Sequence, residues 1–242
     1  FLLHSPLIGG IALLGALLFV PRGLAQSAPA TFRQQLGVLA QPRLLMVYAI
    51  TALGYGGTFL SFTYLTPILQ DVTGFSANAV SLVLLVYGVS VAIGNLWGGR
   101  MADRIGPVPA LKRIFALLAV VLLVMTFTAH NTWLMLLTVL ALGAVAFGNV
   151  PGLQVYVVKQ AQRYAPQATD VASGLNIAAF NIGIALGASL GGLVVEHIGL
   201  MHTPWLGALV VVGAYGLTVL SGRLDRRDGI DDRADGITVA AH

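Results

Sequence analysis

The chain has 242 residues, 57% of them hydrophobic and 9% charged, with a formal net charge of +4, whereas soluble proteins carry roughly 25% charged residues. This composition excludes an ordinary soluble domain and points to a polytopic membrane protein. The basic residues sit in small groups between apolar runs, without interleaved aromatics, so no nucleic-acid partner is expected. Cysteine is absent, which leaves no disulfide framework or thiolate metal site.

The first residues, F-L-L-H-S-P-L-I-G-G, are already apolar and lack the basic start and small-residue cleavage site of a signal peptide. The sequence therefore reads as starting partway through a larger protein. A bilayer-crossing helix needs roughly 20 mostly apolar residues. The stretches that meet this are Phe1 to Val20, Leu44 to Thr66, Asn78 to Gly98, Leu111 to Ala129, Trp133 to Val158, Asp170 to Val194 and Pro204 to Ser221.

Charge tests this division, because basic residues gather on the cytoplasmic side of membrane proteins. Arg22, Arg33 and Arg43 lie in the first connection, Arg100, Arg104, Lys112 and Arg113 in the third, Lys159 and Arg163 in the fifth, and Arg223, Arg226, Arg227 and Arg233 in the tail; together they are all 13 Lys and Arg. The alternate connections hold only acids and histidines, such as Asp71, His130, Glu196, His197 and His202. A missed or invented span would break this alternation, so the third connection and the C-terminus are expected to be cytoplasmic. The histidines have no metal-ligand spacing and read as interfacial; no metal and no cofactor is expected.

The expected organisation is a span over residues 1–20, a cytoplasmic linker over 21–42, a six-span bundle over 43–222 and a disordered cytoplasmic tail over 223–242. Within the linker, Phe32, Leu36 and Leu39 stand at helical spacing and suit a short interfacial helix. The tail, D-R-R-D-G-I-D-D-R-A-D-G, lacks an apolar face.

Polar residues inside spans need partners in protein or water. Tyr48, Thr51, Tyr55 and Thr58 share a stripe on the second span; Ser81, Gly88 and Asn95 align on the third, Asn149, Gly152 and Tyr156 on the fifth, and Ser173, Asn176 and Phe180 on the sixth. The fourth and last spans offer little beyond Thr126, Tyr215 and Thr218. The stripes read either as interhelical hydrogen bonding or as a cavity lining, with Tyr55, Asn95, Asn149 and Asn176 as candidate lining residues. Ala179, Gly183, Gly187 and Gly191 repeat every fourth residue and let two helix backbones approach closely. Pro151, in N-V-P-G, removes a backbone donor and should bend the fifth span.

The tight charged turn between the third and fourth spans reads G-N-L-W-G-G-R-M-A-D-R-I-G-P-V-P-A-L-K-R, Gly94 to Arg113. Its G-R-M-A-D-R-I-G, Gly99 to Gly106, resembles the signature loop of the major facilitator superfamily of transporters, G-x-L-A-D-R-x-G-R-K. F-T-Y-L-T-P-I-L (Phe62 to Leu69), V-T-G-F-S (Val72 to Ser76) and L-N-I-A-A-F-N-I-G-I-A-L-G (Leu175 to Gly187) resemble the drug and sugar efflux, arabinose-efflux-permease-like branch. One departure is that Pro107, Val108 and Pro109 stand where the family places basic residues.

The resemblance implies an all-α membrane protein comprising helices 6 to 12 of a twelve-helix fold, with helices 1 to 5 missing. It implies that helices 7, 8, 10 and 11 face a solute cavity while 9 and 12 face lipid. It assigns Gly99, Asp103, Arg104 and Gly106 to a conformational motif in which Asp103 meets helix 5 of the other half. Locally, a pair with Arg100 or Arg104 is the alternative for Asp103. The expected function is secondary active transport, a proton-coupled efflux of a small sugar-like or drug-like solute through a bacterial-type inner membrane. Uptake by the same fold stays open. A polytopic enzyme would need a nucleophile, an acid or metal ligands within the spans, and a channel a repeated filter loop; the spans carry neither. Asp71, Asp103, Asp170 and Glu196 all fall at span ends, so the proton-coupling acid is expected in helices 1 to 5.

Overall fold

The computed structural model describes residues 37–229. The expected span Phe1 to Val20, most of the linker and the end of the tail lie outside them. Secondary structure among the described residues is helical throughout. Six stretches are long and apolar enough to cross a membrane: Pro42–Val72, Ala77–Ile105, Pro107–Thr128, Thr132–Tyr164, Pro166–His197 and Leu200–Arg227. Five of them contain an expected apolar run whole, and Pro107–Thr128 contains all of Leu111 to Ala129 but its last residue.

Helix α1 (Pro42–Phe62) opens with proline in its first turn, where the missing N–H goes unused. A short turn, Leu65–Pro67, and a π-helical turn, Ile68–Val72, extend this first span. Helix α2 (Ala77–Ile105) starts at Ser76, whose hydroxyl accepts the Ala79 N–H at 3.3 Å, an N-cap. It stops at Gly106, the single residue separating it from α3 (Pro107–Thr128). Gly106 has φ of +86°, a conformation that a side chain resists, and Pro107 then begins α3. The two prolines that depart from the family pattern therefore belong to the first turn of α3.

Asn131 caps α4 (Thr132–Ala146) by accepting the Trp133 and Leu134 N–H groups, both at 3.1 Å. The span Thr132–Tyr164 is broken at Phe147 and Gly148 and resumes as α5 (Asn149–Tyr164). Pro151 has no N–H to give the Phe147 carbonyl, which takes the Val150 N–H instead at 3.2 Å. Helices α6 (Thr169–His197) and α7 (Thr203–Arg227) follow 3₁₀ turns at Pro166–Ala168 and Leu200–His202.

Helix α1 belongs to the most buried span, and α2 and α6 are the least buried. It packs most extensively on α6 and α7, while α7 also packs on α3, and α2 on α4. Lipid supplies no hydrophobic drive between helices, so close packing depends on small residues. A Cβ on Gly183 would stand 2.5 Å from the Ala52 carbonyl, one on Gly187 would overlap the Gly56 carbonyl, and one on Gly191 would lie 2.6 Å from that of Leu60. These three glycines form the α1–α6 seam. Gly57 and Gly207 press on each other's carbonyls in the α1–α7 seam, and Gly94 and Gly98 on the backbone of Ala144 and Gly148.

One expectation is corrected. Helix α7 continues through Arg227, so residues 223 to 227 are not a disordered tail. Asp225 is only 2% exposed, because α1 and α5 supply partners that the local sequence does not reveal. On α7, Thr218 and Ser221 are buried in the bundle, while Leu209, Val212 and Tyr215 are exposed.

Candidate solute site and its ionic foundation

Two polar regions stand out, and α1 and α5 belong to both. The first is a cavity of about 220 Å³ between α1, α5 and α6, lined by Thr51, Tyr55, Leu153, Gln154, Asn176 and Phe180 among others. At a rise of about 1.5 Å per residue its lining stands roughly 10–20 Å inside the helix ends at Pro42, Tyr164 and Thr169. Among the described residues, none that lines it is charged.

The seam glycines set its geometry. They bring α6 against α1 so closely that the Thr51 hydroxyl donates to Asn176 Oδ1 at 2.7 Å. On the other side of the cavity the Tyr55 hydroxyl donates to Asn149 Oδ1 at 2.9 Å, in the first turn of α5 just past the break. Asn149 is fully buried, and among the described residues its Nδ2 has no partner. Tyr55 also meets the Phe180 ring at 3.8 Å between centroids and the rings of Phe59 and Phe147 at 6.3 and 6.2 Å. Phe59 leads on to Phe62, which stacks on Tyr87 at 5.1 Å. An aromatic wall thus extends from the cavity towards the far end of α1.

Of the candidate lining residues, Tyr55 and Asn176 line the cavity, and Asn149 supports Tyr55 without lining it. Asn95 is half-buried on α2 and does not reach this cavity. The α5 stripe of Asn149, Gly152 and Tyr156 turns inward: a Cβ on Gly152 would meet Leu111 at 3.2 Å, and Tyr156 points to α7. The cavity is lined instead by Leu153 and Gln154. Sequence reasoning passed over Gln154, although an amide inside an apolar run is itself a signal.

The second region joins the start of α1 to the ends of α5 and α7. Asp225 pairs with Arg43 at 3.5 Å and accepts the Tyr156 hydroxyl at 2.7 Å and Gln160 Nε2 at 2.9 Å. The Tyr156 hydroxyl is also 2.6 Å from Ser221 Oγ. Arg43 donates to Asp228, which also accepts the Tyr164 hydroxyl at 2.9 Å, and Arg163 donates to the Asp228 carbonyl at 2.9 Å. The hydrogen bond from Arg43 holds the Asp228 carboxyl below its ordinary range, helped by Tyr164.

In the turn between α2 and α3, Gly99 packs near Pro151 with room for a Cβ at 3.7 Å. Asp103 and Arg104 are exposed. Among the described residues, neither Asp103 nor the nearby Arg100 and Arg104 form an ion pair. The local pairing weighed for Asp103 is therefore not made. No group of His, Asp and Glu among the described residues is arranged to hold a metal ion.

A sequence model described as Major Facilitator Superfamily matches residues 1–173. An uncharacterized MFS-type transporter of Bacillus subtilis, YtbD, is 52% identical over 221 residues, covering 91% of this chain and 56% of that protein. The inner membrane transport protein YdhP of Escherichia coli K12 is 36% identical over 217 residues, 89% of this chain and 54% of its own length. A Pasteurella multocida protein named Probable sugar efflux transporter is 31% identical over 198 residues, 82% of this chain and 46% of its own. The chain thus spans about half the length of the curated relatives it matches.

Proposed function

Because the chain belongs to the major facilitator superfamily of membrane transporters, we propose that it acts as the C-terminal half of a secondary active transporter. In this reading two bundles rock about a solute site near mid-depth, and the transporter exports a small, uncharged, sugar-like or drug-like solute. The observation that carries the proposal is the uncharged cavity where α1, α5 and α6 converge, lined by Tyr55, Gln154 and Asn176. An aromatic face at Phe180 and amide edges nearby suit a solute with apolar and hydrogen-bonding sides. The naming of a relative as a sugar efflux transporter supports the same solute class and direction.

In the same proposal the end carrying Arg43, Arg104 and Arg227 faces the cytoplasm, in a bacterial inner membrane. Asp103, exposed and unpaired by its neighbours, meets a helix of the other half and locks one conformation, with Gly99, Arg104 and Gly106 shaping the turn. Export is coupled to protons, and the coupling acid lies outside the described residues: Asp225 is fastened to Arg43 inside one bundle, where rocking does not expose it alternately to the two sides.

The test is transport of a radiolabelled hexose into everted membrane vesicles containing the full-length transporter. Uptake that needs an imposed proton gradient and collapses with a protonophore is expected. Gradient-driven accumulation in intact cells instead would reverse the direction.

A further inference from the structure

We infer that Gln154 determines specificity for solutes bearing hydroxyl groups, an inference that rests on the solute-site reading above. Of the cavity's other polar side chains, the Thr51 hydroxyl donates to Asn176 Oδ1 and the Tyr55 hydroxyl to Asn149, which leaves the Asn176 Nδ2 donors as the other amide capacity there. Gln154 lines the same cavity, is half-exposed, and makes no hydrogen bond among the described residues. Its carboxamide offers two donors and an acceptor about ten residues inside the end of α5, between Leu153 and Val155. An amide at that depth needs a partner from water or from the solute, and its neighbours on α1 and α6 do not provide one.

The surroundings limit what that partner is. Among the described residues no charged side chain lines the cavity, so an ionised solute would gain no counter-charge from them. A hydroxyl both donates and accepts, matching the two sides of the carboxamide, while Leu153 and Phe180 cover the solute's C–H face. A site built to hydrogen-bond a hydroxyl discriminates strongly against the analogue that lacks it, because the amide is then left unpaired.

The probes are a radiolabelled methyl hexopyranoside and its dideoxy analogue, transported by the full-length protein in liposomes. Gln154→Met keeps side-chain length and removes the amide; Gln154→Ala is the second variant should the first not fold. The wild type is expected to prefer the hydroxylated probe at least tenfold in kcat/KM, and the variant's preference is expected to fall towards one. A proportionate loss for both probes would overturn the inference and show that Gln154 bonds protein, such as the other bundle. An unchanged preference would overturn it as well, and so would a wild type that moves neither probe. Phe180→Ala separates the two readings: impaired transport there with Gln154→Met neutral sinks the role of Gln154 but keeps the cavity, whereas two neutral variants sink the cavity too.

Discussion

The cavity and the ionic cluster share α1 and α5, and each contains a tyrosine hydroxyl and a side-chain amide. They differ in charge and closure. At the basic end, Asp225 is enclosed by Arg43, Tyr156 and Gln160, and the carboxylate is surrounded by protein on all sides. In the cavity there is no charge, and an amide faces open space. A charge deep in a bilayer costs roughly 2.5–3.5 kcal/mol on insertion scales, so ionic fastening belongs at helix ends, where water is near. Polar groups left with spare hydrogen-bonding capacity at depth serve something that comes and goes. The cluster should therefore govern stability and the cavity transport.

The largest effect should come from breaking the cluster. Asp225→Leu leaves Gln160 Nε2 without its acceptor and Arg43 with Asp228 alone, and each buried polar group left unsatisfied costs roughly 1–3 kcal/mol; a fall in Tm of several degrees in detergent is expected. An unchanged Tm would show that the cluster is ornamental. Next comes the seam that shapes the cavity. Gly187→Leu drives a side chain into the Gly56 backbone, overpacking of the kind that costs roughly 1–3 kcal/mol or more, and transport should vanish even where the protein reaches the membrane. Normal transport would mean that the α1–α6 contact can open freely.

Asn176→Ala sharpens the contrast from the other side. It removes one hydrogen bond to Thr51, and such bonds in membranes are worth about 0.6 kcal/mol on average. Transport should fall at least tenfold while Tm shifts little; the opposite pattern would make Asn176 structural. The smallest effect concerns acid. Asp228 titrates below its ordinary value in the folded protein, so its contribution is present above the unfolded pKa of about 3.9 and is lost as pH falls through the lower folded value. Asp228→Asn should flatten the drop in Tm below pH 4 and, from pH 5 to 7, lower Tm by an amount that does not change with pH. A changed slope at pH 6 would contradict the assignment.

Much of the fold was legible because a bilayer imposes its thickness on the sequence. Apolar runs of span length, separated by connections of alternating charge, mark the spans, and the spacing of Gly183, Gly187 and Gly191 marks a seam without naming its partner helix. Pro151 announced a break. Asp225 was hidden because its neighbours, D-R-R-D-G, read as solvated tail, while the residues that bury it stand 65 and 69 positions earlier at Gln160 and Tyr156 and further back at Arg43. The face of α5 was misassigned for a related reason. That helix carries polar groups on two sides, Asn149, Tyr156 and Gln160 inward and Gln154 to the cavity, and periodicity alone does not say which side meets solute.

The central claim is that α1, α5 and α6 enclose a water-filled solute cavity, distinct from the lipid-facing surface. The chain has no native cysteine, so Phe180→Cys on the cavity wall and Val212→Cys on the exposed face of α7 can be compared directly in the full-length protein. With a charged, water-soluble maleimide applied to everted vesicles, Phe180→Cys is expected to react at least tenfold faster than Val212→Cys, and a transported hexose should slow it. Equal rates at the two positions, or a Phe180→Cys rate that hexose leaves unchanged, would contradict the account.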